Sequence, residues 1–496
     1  MSSPHRRGAL AILALALSAA ACGTAVPHAE VLRDAGVVDT TAQQAVTPTT
    51  VDQTAAAPAT TAPTQGAAAT TAAAPVGGPL PVTGTSGPVI GTTPTSAAPA
   101  QPTGKTNPSA PHSSTAVPTT AVTNAGPATG SPVVIGQVGN FSGVVGAIEG
   151  GGQLGLKVWV SWANQHGGLN GHRIVLYSSD DGGDPSKALS IVQDDVENKH
   201  AVAIVGAMLA VDGSGVQSYV EQHQIPIVGG DTLSTPWGTS PMFFSSGTNL
   251  NGVGYGLAHI AATSGVSKAA LLYCVEAAIC SQFKNYVDTT PNWAKQQGVQ
   301  LVYTSGVSLT QPSFTSQCQA AQSAGAQGII AAVEGPSLER LAQSCTSLGY
   351  HPKYIASALA INANQEGNKD LEGVQAPSPD VPYMLSSTPA TQTFAGAINS
   401  YAPGSAIGTF TMIGWISGMM LQKALSTQIT DPTAAVTSQQ VLNGLWQFKN
   451  ETLQGLTPPL TFVKGQPAPL VKCAFLVAMV NGKFTAPNGT QQFCSP

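Results

Sequence analysis

Short apolar runs alternate with helix-length segments from Pro132 onward, and this pattern predicts the secondary structure of the chain. Runs of this kind predict buried strands, and the lengths between them suit right-handed helical crossovers. Such alternation is typical of βαβ units around a parallel sheet. The predicted strands cover residues 133–138, 174–177, 201–205, 225–228, 269–273, 299–303, 328–333 and 354–356.

Helices are predicted between these strands and again near the C-terminus. Asp184 before Pro185 favours a helix start, because an acid at the N-cap and a proline at the first helical position both suit one. The alternation restarts after Thr263, which predicts two similar α/β lobes. Asn481-Gly482 predicts a hairpin turn. The predicted helices cover residues 152–165, 185–198, 215–222, 410–425 and 438–447.

The chain before Pro132 has a different composition, rich in Ala, Thr and Pro, with no apolar periodicity from about Thr40. Only 9% of all residues are charged, against about 25% in ordinary soluble proteins. Residues 22–131 are therefore predicted to form a disordered tether rather than a core. A Pro-rich tether stays extended and can hold a folded head away from a membrane.

The N-terminus reads as an export signal. Arg6-Arg7 precede a short apolar run and then small residues up to Cys22, which predicts a signal peptide over residues 1–21 that is too short to span a membrane. Cys22 after three alanines resembles a lipobox, which implies acylation and anchoring to the outer face of the membrane. A plain secretory signal with a chance cysteine is the alternative, and twin-arginine export is a further one.

Six further cysteines favour disulfides, because an even number in an exported chain suits oxidised pairs. No pair has Cys-x-x-Cys spacing, so zinc or thioredoxin-like chemistry has no support. Pairs that join neighbouring elements and close short loops are Cys274 with Cys280, Cys318 with Cys345, and Cys473 with Cys494. Six cysteines allow about 15 pairings, so the connectivity stays open at this point.

Charge and motifs exclude several functions. A net charge of −5 without a basic block gives no footprint for nucleic acid. The chain has no Gly-x-Ser-x-Gly elbow, no His-Glu-x-x-His and no Gly-rich phosphate loop, so a hydrolase is disfavoured, and no metal or other cofactor is expected.

Several segments, in a fixed order, resemble one family. Residues 164–174 read Asn-Gln-His-Gly-Gly-Leu-Asn-Gly-His-Arg-Ile, and residues 180–185 read Asp-Asp-Gly-Gly-Asp-Pro. A Ser142-Gly143 loop precedes them, while Ala-Ile-Val-Gly at 203–206 and Asn-Gly-Lys-Phe at 481–484 follow. In these segments, residues 133–486 resemble the branched-chain amino-acid type of periplasmic binding protein, also called extracellular ligand-binding receptors.

The resemblance implies an α/β fold of two Rossmann-like lobes with parallel sheets, joined by three crossover strands. Lobe I is expected at 132–260 plus 382–452, and lobe II at 261–381 plus 453–496. The implied function is capture of a small organic solute, such as an amino acid or amide, by hinge closure and delivery to an ABC permease outside the cytoplasm. A tethered sensor or receptor with the same head and no importer is the alternative.

The resemblance also suggests site residues. Ser142 lies in the first loop, Ala210 stands where the family has a serine for the ligand carboxylate, and Gly230 and Thr232 match a retained contact with Asp231 added between them. The family's acid for the ligand ammonium falls on Ala358 and its aromatic contact on Ile279. Glu334 or Glu276 are the acids available instead. A turn and helix cap is the alternative for Asp231 and Thr232, and solvated loop acids for the glutamates.

Two other groups are interpreted as structural. The Asp180 to Asp184 cluster favours a turn over metal ligation, and Trp415 favours a core position. With Ala210 and Ala358 in place of Ser and Glu, the ligand is expected between residues 230–232 and Glu334, and is not expected to be an ordinary branched-chain amino acid. The acids favour a cationic or neutral, donor-rich ligand.

Overall fold

The computed structural model describes residues 37–39, 128 and 130–495, except 277. Its strands are β1 Val37–Asp39, β2 Gly130–Gly139, β3 His172–Asp180, β4 Ile204–Ala207, β5 Ile227–Gly230, β6 Phe243–Phe244, β7 Lys268–Cys274, β8 Gln300–Val307, β9 Gly328–Ala332, β10 Lys353–Ala356, β11 Gln375–Ser378, β12 Cys473–Val480, β13 Lys483–Thr485 and β14 Phe493–Cys494.

The helices carry labels of their own. They are α1 Gly143–Gln165, α2 Pro185–Glu197, α3 Gly213–His223, α4 Pro236–Thr239, α5 Leu250–Thr263, α6 Ala278–Asp288, α7 Trp293–Gln296, α8 Thr315–Ser323, α9 Gly335–Thr346, α10 Pro389–Tyr401, α11 Thr409–Leu425 and α12 Ser438–Leu445. Short 3-10 turns lie at Ala358–Ala360, Ala363–Gln365, Lys369–Leu371 and Leu453–Gly455. None of the described helices combines the length and the apolar character that a membrane span requires.

Two sheets organise the described chain. The first has the order β1-β3-β2-β4-β5-β6 and is parallel throughout. The second has the order β13-β12-β11-β10-β9-β7-β8, parallel from β8 to β11 and antiparallel at β12 and β13. β14 pairs with β12 beside this path. The predicted α/β fold with two parallel-dominated sheets is confirmed.

The chain passes from the first sheet to the second after β6, returns after β11, and passes again after α12. These segments are bonded to one another: the Thr248 N–H donates to the Pro379 carbonyl (3.3 Å), and the Val381 N–H donates to the Leu456 carbonyl (3.0 Å). The connections therefore form one joint between the sheets, which is where a hinge motion would be absorbed.

Helix α1 begins nine residues before its predicted start, at Gly143 rather than Gly152. The run Gly150–Gly152 lowers helix propensity and hides the first turns from sequence reasoning. The glycine at 155 has a packing reason, since a Cβ there would lie 1.9 Å from the Thr411 carbonyl oxygen of α11. Glycine thus lets the backbones of α1 and α11 touch.

The aromatic core of the first sheet lies between these same helices. Trp415 of α11 is fully buried, with its ring 5.3 Å from that of Trp162 and 5.7 Å from that of Phe394. The interpretation of Trp415 as a core residue therefore agrees with its position.

Two parts of the predicted tether belong to the first sheet: Gly130 and Ser131 begin β2, and Val37–Asp39 forms β1. Val37–Asp39 lies within residues 22–131, yet it pairs in parallel with Leu176–Ser178 of β3 as an edge strand. The β-branched pair Val37-Val38 suits a strand, and β3 would otherwise be an open edge. The prediction of a tether is corrected for these residues. The rest of residues 22–127 and the signal peptide lie outside the described residues.

Three disulfides are present, and they join the pairs that close short loops. They link Cys274 to Cys280, Cys318 to Cys345, and Cys473 to Cys494. The second pair ties α8 to α9 and is fully buried. The third ties β12 to β14 near the C-terminus. Closing loops of this size stabilises a fold by about 2–4 kcal/mol each in the chain-entropy account.

Candidate functional site

A cavity of about 200 Å³ lies where the carboxyl ends of the two sheets face each other. We call it the inner cavity. Loops and helix starts at these strand ends are where open α/β sheets bind ligands. Its walls come from both sheets and are made by Val145, Ile148, Glu149, Ala210, Val211, Leu233, Leu250, Cys274, Glu276, Ile279, Cys280, Phe283, Leu309, Ala332, Val333, Glu334, Ser357, Leu359, Ala360 and Phe410.

Most of this wall is hydrocarbon. Phe283 of α6 and Phe410 of α11 supply the aromatic surface, and branched side chains from α1 and from the loops after β4, β5 and β8 supply most of the rest. Burying apolar area contributes about 25 cal/mol per Å² removed from water. The inner cavity is therefore built to hold a ligand with a large apolar part.

A polar groove of about 570 Å³ adjoins the inner cavity. We call it the outer groove. The two spaces share wall residues such as Ala210, Leu233 and Ile279, while Ser142, Ser214, Ser234, Thr235 and Gln282 add hydroxyl and amide groups to the groove alone. An apolar chamber thus lies next to a groove with hydroxyl and amide groups on its wall, as expected for a solute site with polar groups at its entrance.

Glu149 is the most unusual residue of the inner cavity. It lies in α1, is 1% exposed, and its Oε2 has no hydrogen-bond partner among the described residues. Burial raises the pKa of this carboxyl well above its usual range, and the neighbouring acids Asp231, Asp212 and Asp181 raise it further. Burial therefore favours the protonated form of this carboxyl, which has a free polar atom at the cavity wall.

Three more buried acids lie behind Glu149, at the carboxyl end of the first sheet. Asn140 donates to Asp181 Oδ1 (2.6 Å) and to Asp212 Oδ2 (3.1 Å). Burial, with Asp181 alongside, raises the pKa of Asp212 to about 8, and burial raises that of Asp231 to about 7. This side of the site is electronegative whenever these groups ionise.

Three of the predicted ligand contacts, Ser142, Ala210 and Glu334, lie at these spaces. Ala210 follows β4 and lines both the inner cavity and the outer groove, and Ser142 precedes α1 and lines the groove. The position where the family has a serine for a ligand carboxylate therefore reaches the site, but as a methyl group. All three assignments as ligand contacts stay predictions.

Gly230, Asp231 and Thr232 line neither space, because their polar groups are used inside the fold. The Asp231 carboxylate accepts from the Leu233 N–H (2.7 Å), from Trp237 Nε1 (3.1 Å) and from the Leu209 N–H. Thr232 Oγ1 donates to the Thr248 carbonyl (3.0 Å). Gly230 packs against the Trp237 ring. Their geometry is that of the alternative interpretation, a turn whose side chains form hydrogen bonds with nearby backbone.

Glu334 lines the inner cavity, but its carboxylate caps helix α9. It accepts from the Ser337 N–H (2.6 Å) and from the Ser337 hydroxyl, and Arg340 Nη2 lies 3.6 Å from Oε1. Glu276, at the mouth, accepts from the Leu309 N–H (2.6 Å) and from Ser308 Oγ (2.7 Å). Both glutamates are therefore supplied with donors, unlike Glu149.

Ile279 and Ala358 stand at the two positions where the resemblance implies that a family contact is missing, and the structure agrees with this. Ile279 lines both spaces as an aliphatic residue. Ala358 is fully buried in a 3-10 turn, where its carbonyl accepts from Thr409 Oγ1 (2.7 Å). Neither supplies an aromatic ring or an acid to a ligand.

The acidic turn after β3 has structural roles. Asp184 Oδ1 caps α2 by accepting from the Ser186 N–H (2.8 Å), and Asp180 Oδ1 accepts from the Phe141 N–H (2.9 Å). Among the described residues, no group of three or more His, Cys, Asp or Glu side chains is placed to hold a metal ion.

The matched family decides the class of this protein. Residues 132–483 match the model of the family described as periplasmic binding protein. The chain belongs to the periplasmic binding protein family. Its members are solute-binding or ligand-binding receptors that act outside the cytoplasm. A search of curated proteins found no match.

Solved structures of the family share this fold. An extracellular ligand-binding receptor from Verminephrobacter eiseniae has a TM-score of 0.58 at 18% identity, over 71% of this chain and 99% of that one. An ABC transporter solute-binding protein from R. palustris in complex with benzoate has 0.60 at 14%, over 73% and 98%. A fatty acid ABC transporter substrate-binding protein from Thermomonospora curvata has 0.58 at 17%, over 75% and 97%.

Sequence reasoning missed Glu149, Phe283 and Phe410 as residues of the site. It also missed that the disulfide between Cys274 and Cys280 lines the inner cavity. A signal for Glu149 was available. It is the only acid in the 23-residue helix Gly143–Gln165, among small and apolar neighbours. An acid in such surroundings is rarely buried without a functional or structural partner.

Proposed function

We propose that this protein captures a small organic solute in the inner cavity by closure of two lobes and delivers it to an ABC importer. The observation that carries this is a cavity walled from both sheets, next to a joint of three connecting segments. A ligand that touches both walls stabilises the closed form by the difference between its contacts in the two states. The proposed lobes are 132–260 with 382–452, and 261–381 with 453–496.

Solute capture can be tested without knowing the ligand. Native mass spectrometry of the gently purified full chain should detect a retained small molecule, which denaturation releases. Adding that molecule back to stripped protein should lower the radius of gyration in X-ray scattering, because closure compacts two lobes. A stripped protein whose scattering does not change with the retained molecule would contradict closure.

Support for delivery to an ABC importer comes from similar proteins and not from this chain alone. The R. palustris and Thermomonospora curvata proteins are both named as binding proteins of ABC transporters. A permease that recognises the closed form would need surfaces of both lobes at once. Cross-linking of the closed, solute-loaded protein to a membrane permease in intact cells tests this step.

Cys22→Ala is expected to release the protein from the membrane. We propose that Cys22 is acylated after removal of residues 1–21, because three alanines precede it at the end of an export signal. Stable anchoring by lipid chains depends on the buried hydrocarbon, which the variant lacks. Fractionation of cells should move the protein from the membrane to the soluble fraction, with the wild type as control. Retention of the variant at the membrane would contradict the anchor.

Leucine, isoleucine and valine are expected not to bind at micromolar concentration. The carboxylate of such a zwitterion would meet the methyl group of Ala210, Ala358 supplies no acid for the ammonium group, and no Lys, Arg or His of the described chain lines the inner cavity. An unpaired buried charge costs several kcal/mol, which removes micromolar affinity. Calorimetry with the stripped full chain checks this, and the retained solute serves as the positive control. Micromolar leucine binding would show that other groups supply the donors.

A further inference from the structure

The inner cavity contains one buried carboxyl that the protein leaves without a complete set of partners. Glu149 Oε2 is buried at the cavity wall and has no hydrogen-bond partner among the described residues, while both oxygens of Glu334 accept hydrogen bonds within the chain. A buried polar atom without a partner destabilises a fold, because it has lost its hydrogen bonds to water. A fold keeps such an atom at a cavity wall when a ligand completes its hydrogen bonding.

The charges around the inner cavity have one sign. Glu276 and Glu334 face Glu149 from the second sheet, and Asp181, Asp212 and Asp231 lie near it on the first. Within the described chain, no Lys, Arg or His lines this cavity. Arg340, the nearest cation to Glu334, is turned to the Leu309 carbonyl (2.6 Å) and to Ser337 Oγ (2.7 Å). An anionic ligand group would therefore be buried among acids, whereas a cation would be paired.

The size of the cavity limits the ligand. An apolar protein cavity of about 150 Å³ is known to hold benzene, and the inner cavity measures about 200 Å³. The space fits a ligand of about one aromatic ring with a short alkyl chain and a single head group. A second charged group would lie against the apolar wall formed by Phe283 and Phe410.

We propose that the ligand is a small apolar monoamine whose ammonium group pairs with the Glu149 carboxylate while its hydrocarbon part fills the inner cavity. This inference rests on the proposed solute-binding function and specifies its substrate class. Hydrogen bonds in which both partners are charged are the strong ones. The ammonium group supplies the hydrogen-bond partner that Oε2 lacks. The Glu149 carboxylate neutralises the positive charge that the ligand brings into the cavity.

Binding of the amine includes a proton transfer that can be counted. In the empty protein, burial and the neighbouring acids favour the protonated form of the Glu149 carboxyl by raising its pKa. An ammonium ion enters with its own protons, so the carboxyl releases its proton to the buffer and becomes the carboxylate of the pair. About one proton is released for each amine bound, and none for a neutral ligand.

Three probes with the same carbon skeleton distinguish the classes: 3-phenylpropylamine, 3-phenylpropanol and 3-phenylpropanoate. Calorimetry with the stripped full chain should show the amine binding about 10- to 100-fold more tightly than the alcohol, from the worth of a charged hydrogen bond. The propanoate should show no measurable binding. Repeating the amine titration in buffers of different ionisation enthalpy should give the release of about one proton.

Glu149→Gln keeps the shape of the side chain and removes its charge. The variant should lose the 10- to 100-fold preference for the amine, release no proton, and bind the alcohol as the wild type does, to within about threefold. Glu221→Gln is the matched control, since Glu221 lies on α3 away from the cavity and accepts from Gln217 Nε2 (2.9 Å). Thermal melting of both variants checks that they are folded, and the proton count on the wild type needs no variant.

Equal binding of amine and alcohol, tighter binding of the propanoate, or an amine preference that survives Glu149→Gln would each overturn the assignment. Failure of all three probes to bind would overturn it as well. In each of these cases, a solute that native mass spectrometry finds retained in the same preparation leaves the capture function standing. Loss of both the probes and any retained solute would remove the function together with the inference.

Discussion

Replacing Gly155 with alanine is expected to destabilise the fold by about 2–3 kcal/mol. An added Cβ would lie 1.9 Å from the Thr411 carbonyl oxygen and 3.0 Å from the Trp415 nitrogen, both backbone atoms of α11. Neither can rotate away, so α1 and α11 must separate and loosen the packing of Trp415 between Trp162 and Phe394. Urea unfolding followed by tryptophan fluorescence measures the loss.

The same substitution five residues earlier is the control. Gly150→Ala is expected to stabilise the protein by about 0.5–1 kcal/mol, because alanine is the better helix former and a Cβ at this position meets no heavy atom within 4 Å. Opposite signs for one chemical change in one helix would establish that close approach of the backbones, and not helix propensity, determines the cost at Gly155. Equal effects at the two sites would contradict this.

The fold was predictable because its strands are local signals. The predicted runs at 133–138, 174–177 and 328–333 all fall on strands, since buried parallel strands are continuous apolar segments. Asp184 before Pro185 marked the start of α2 for the same local reason. The early turns of α1 escaped, because their glycines lower helix propensity and the neighbours of Gly151 and Gly152 are Thr411 and Met208, both more than 50 residues further along the chain. Propensity cannot report a contact at that separation.

The site was less predictable than the fold. Ala210 and Glu334 were found by their positions at strand ends, and both line the inner cavity. Asp231 and Thr232 also follow a strand, but side chains of these types bond their own loop readily, and here they do. Position along the sequence indicates which loop reaches the edge of a sheet. It does not indicate whether a side chain in that loop faces the ligand or the fold.

The inner cavity also depends on contacts that a single sequence does not show. Glu149, Phe283 and Phe410 come from three helices in distant parts of the chain and meet only after both sheets are assembled. The sequence reading expected the negative charge at Asp231 and Glu334. The structure adds Glu149 as a buried acid whose Oε2 has no partner among the described residues, so the proposed preference for a cationic ligand now rests on a different residue.

Buried acids should also make the stability of this protein unusually dependent on pH. Asp380, at the joint between the sheets, is fully buried, and neither of its carboxylate oxygens has a partner among the described residues. Burial raises the pKa of Asp380 well above its usual range. Burial likewise raises the pKa of Asp231 to about 7, and burial together with Asp181 raises that of Asp212 to about 8. Glu149 is shifted in the same direction.

The protein is therefore expected to lose stability as the pH rises from about 4, where the unfolded carboxyls ionise, to the folded values of about 7 and 8. In this window the folded state holds more protons than the unfolded state, and each such group lowers the free energy of unfolding by about 1.4 kcal/mol per pH unit. Melting temperatures measured from pH 5 to pH 8 should fall steadily.

Asp212→Asn imitates the protonated group beside Asp181 and should make this slope shallower by about one proton. Glu221→Gln, which replaces a carboxylate that accepts from Gln217 Nε2 (2.9 Å) away from the buried acids, should leave the slope unchanged. A melting temperature that rises over this range would show that the buried acids are ionised in the folded protein.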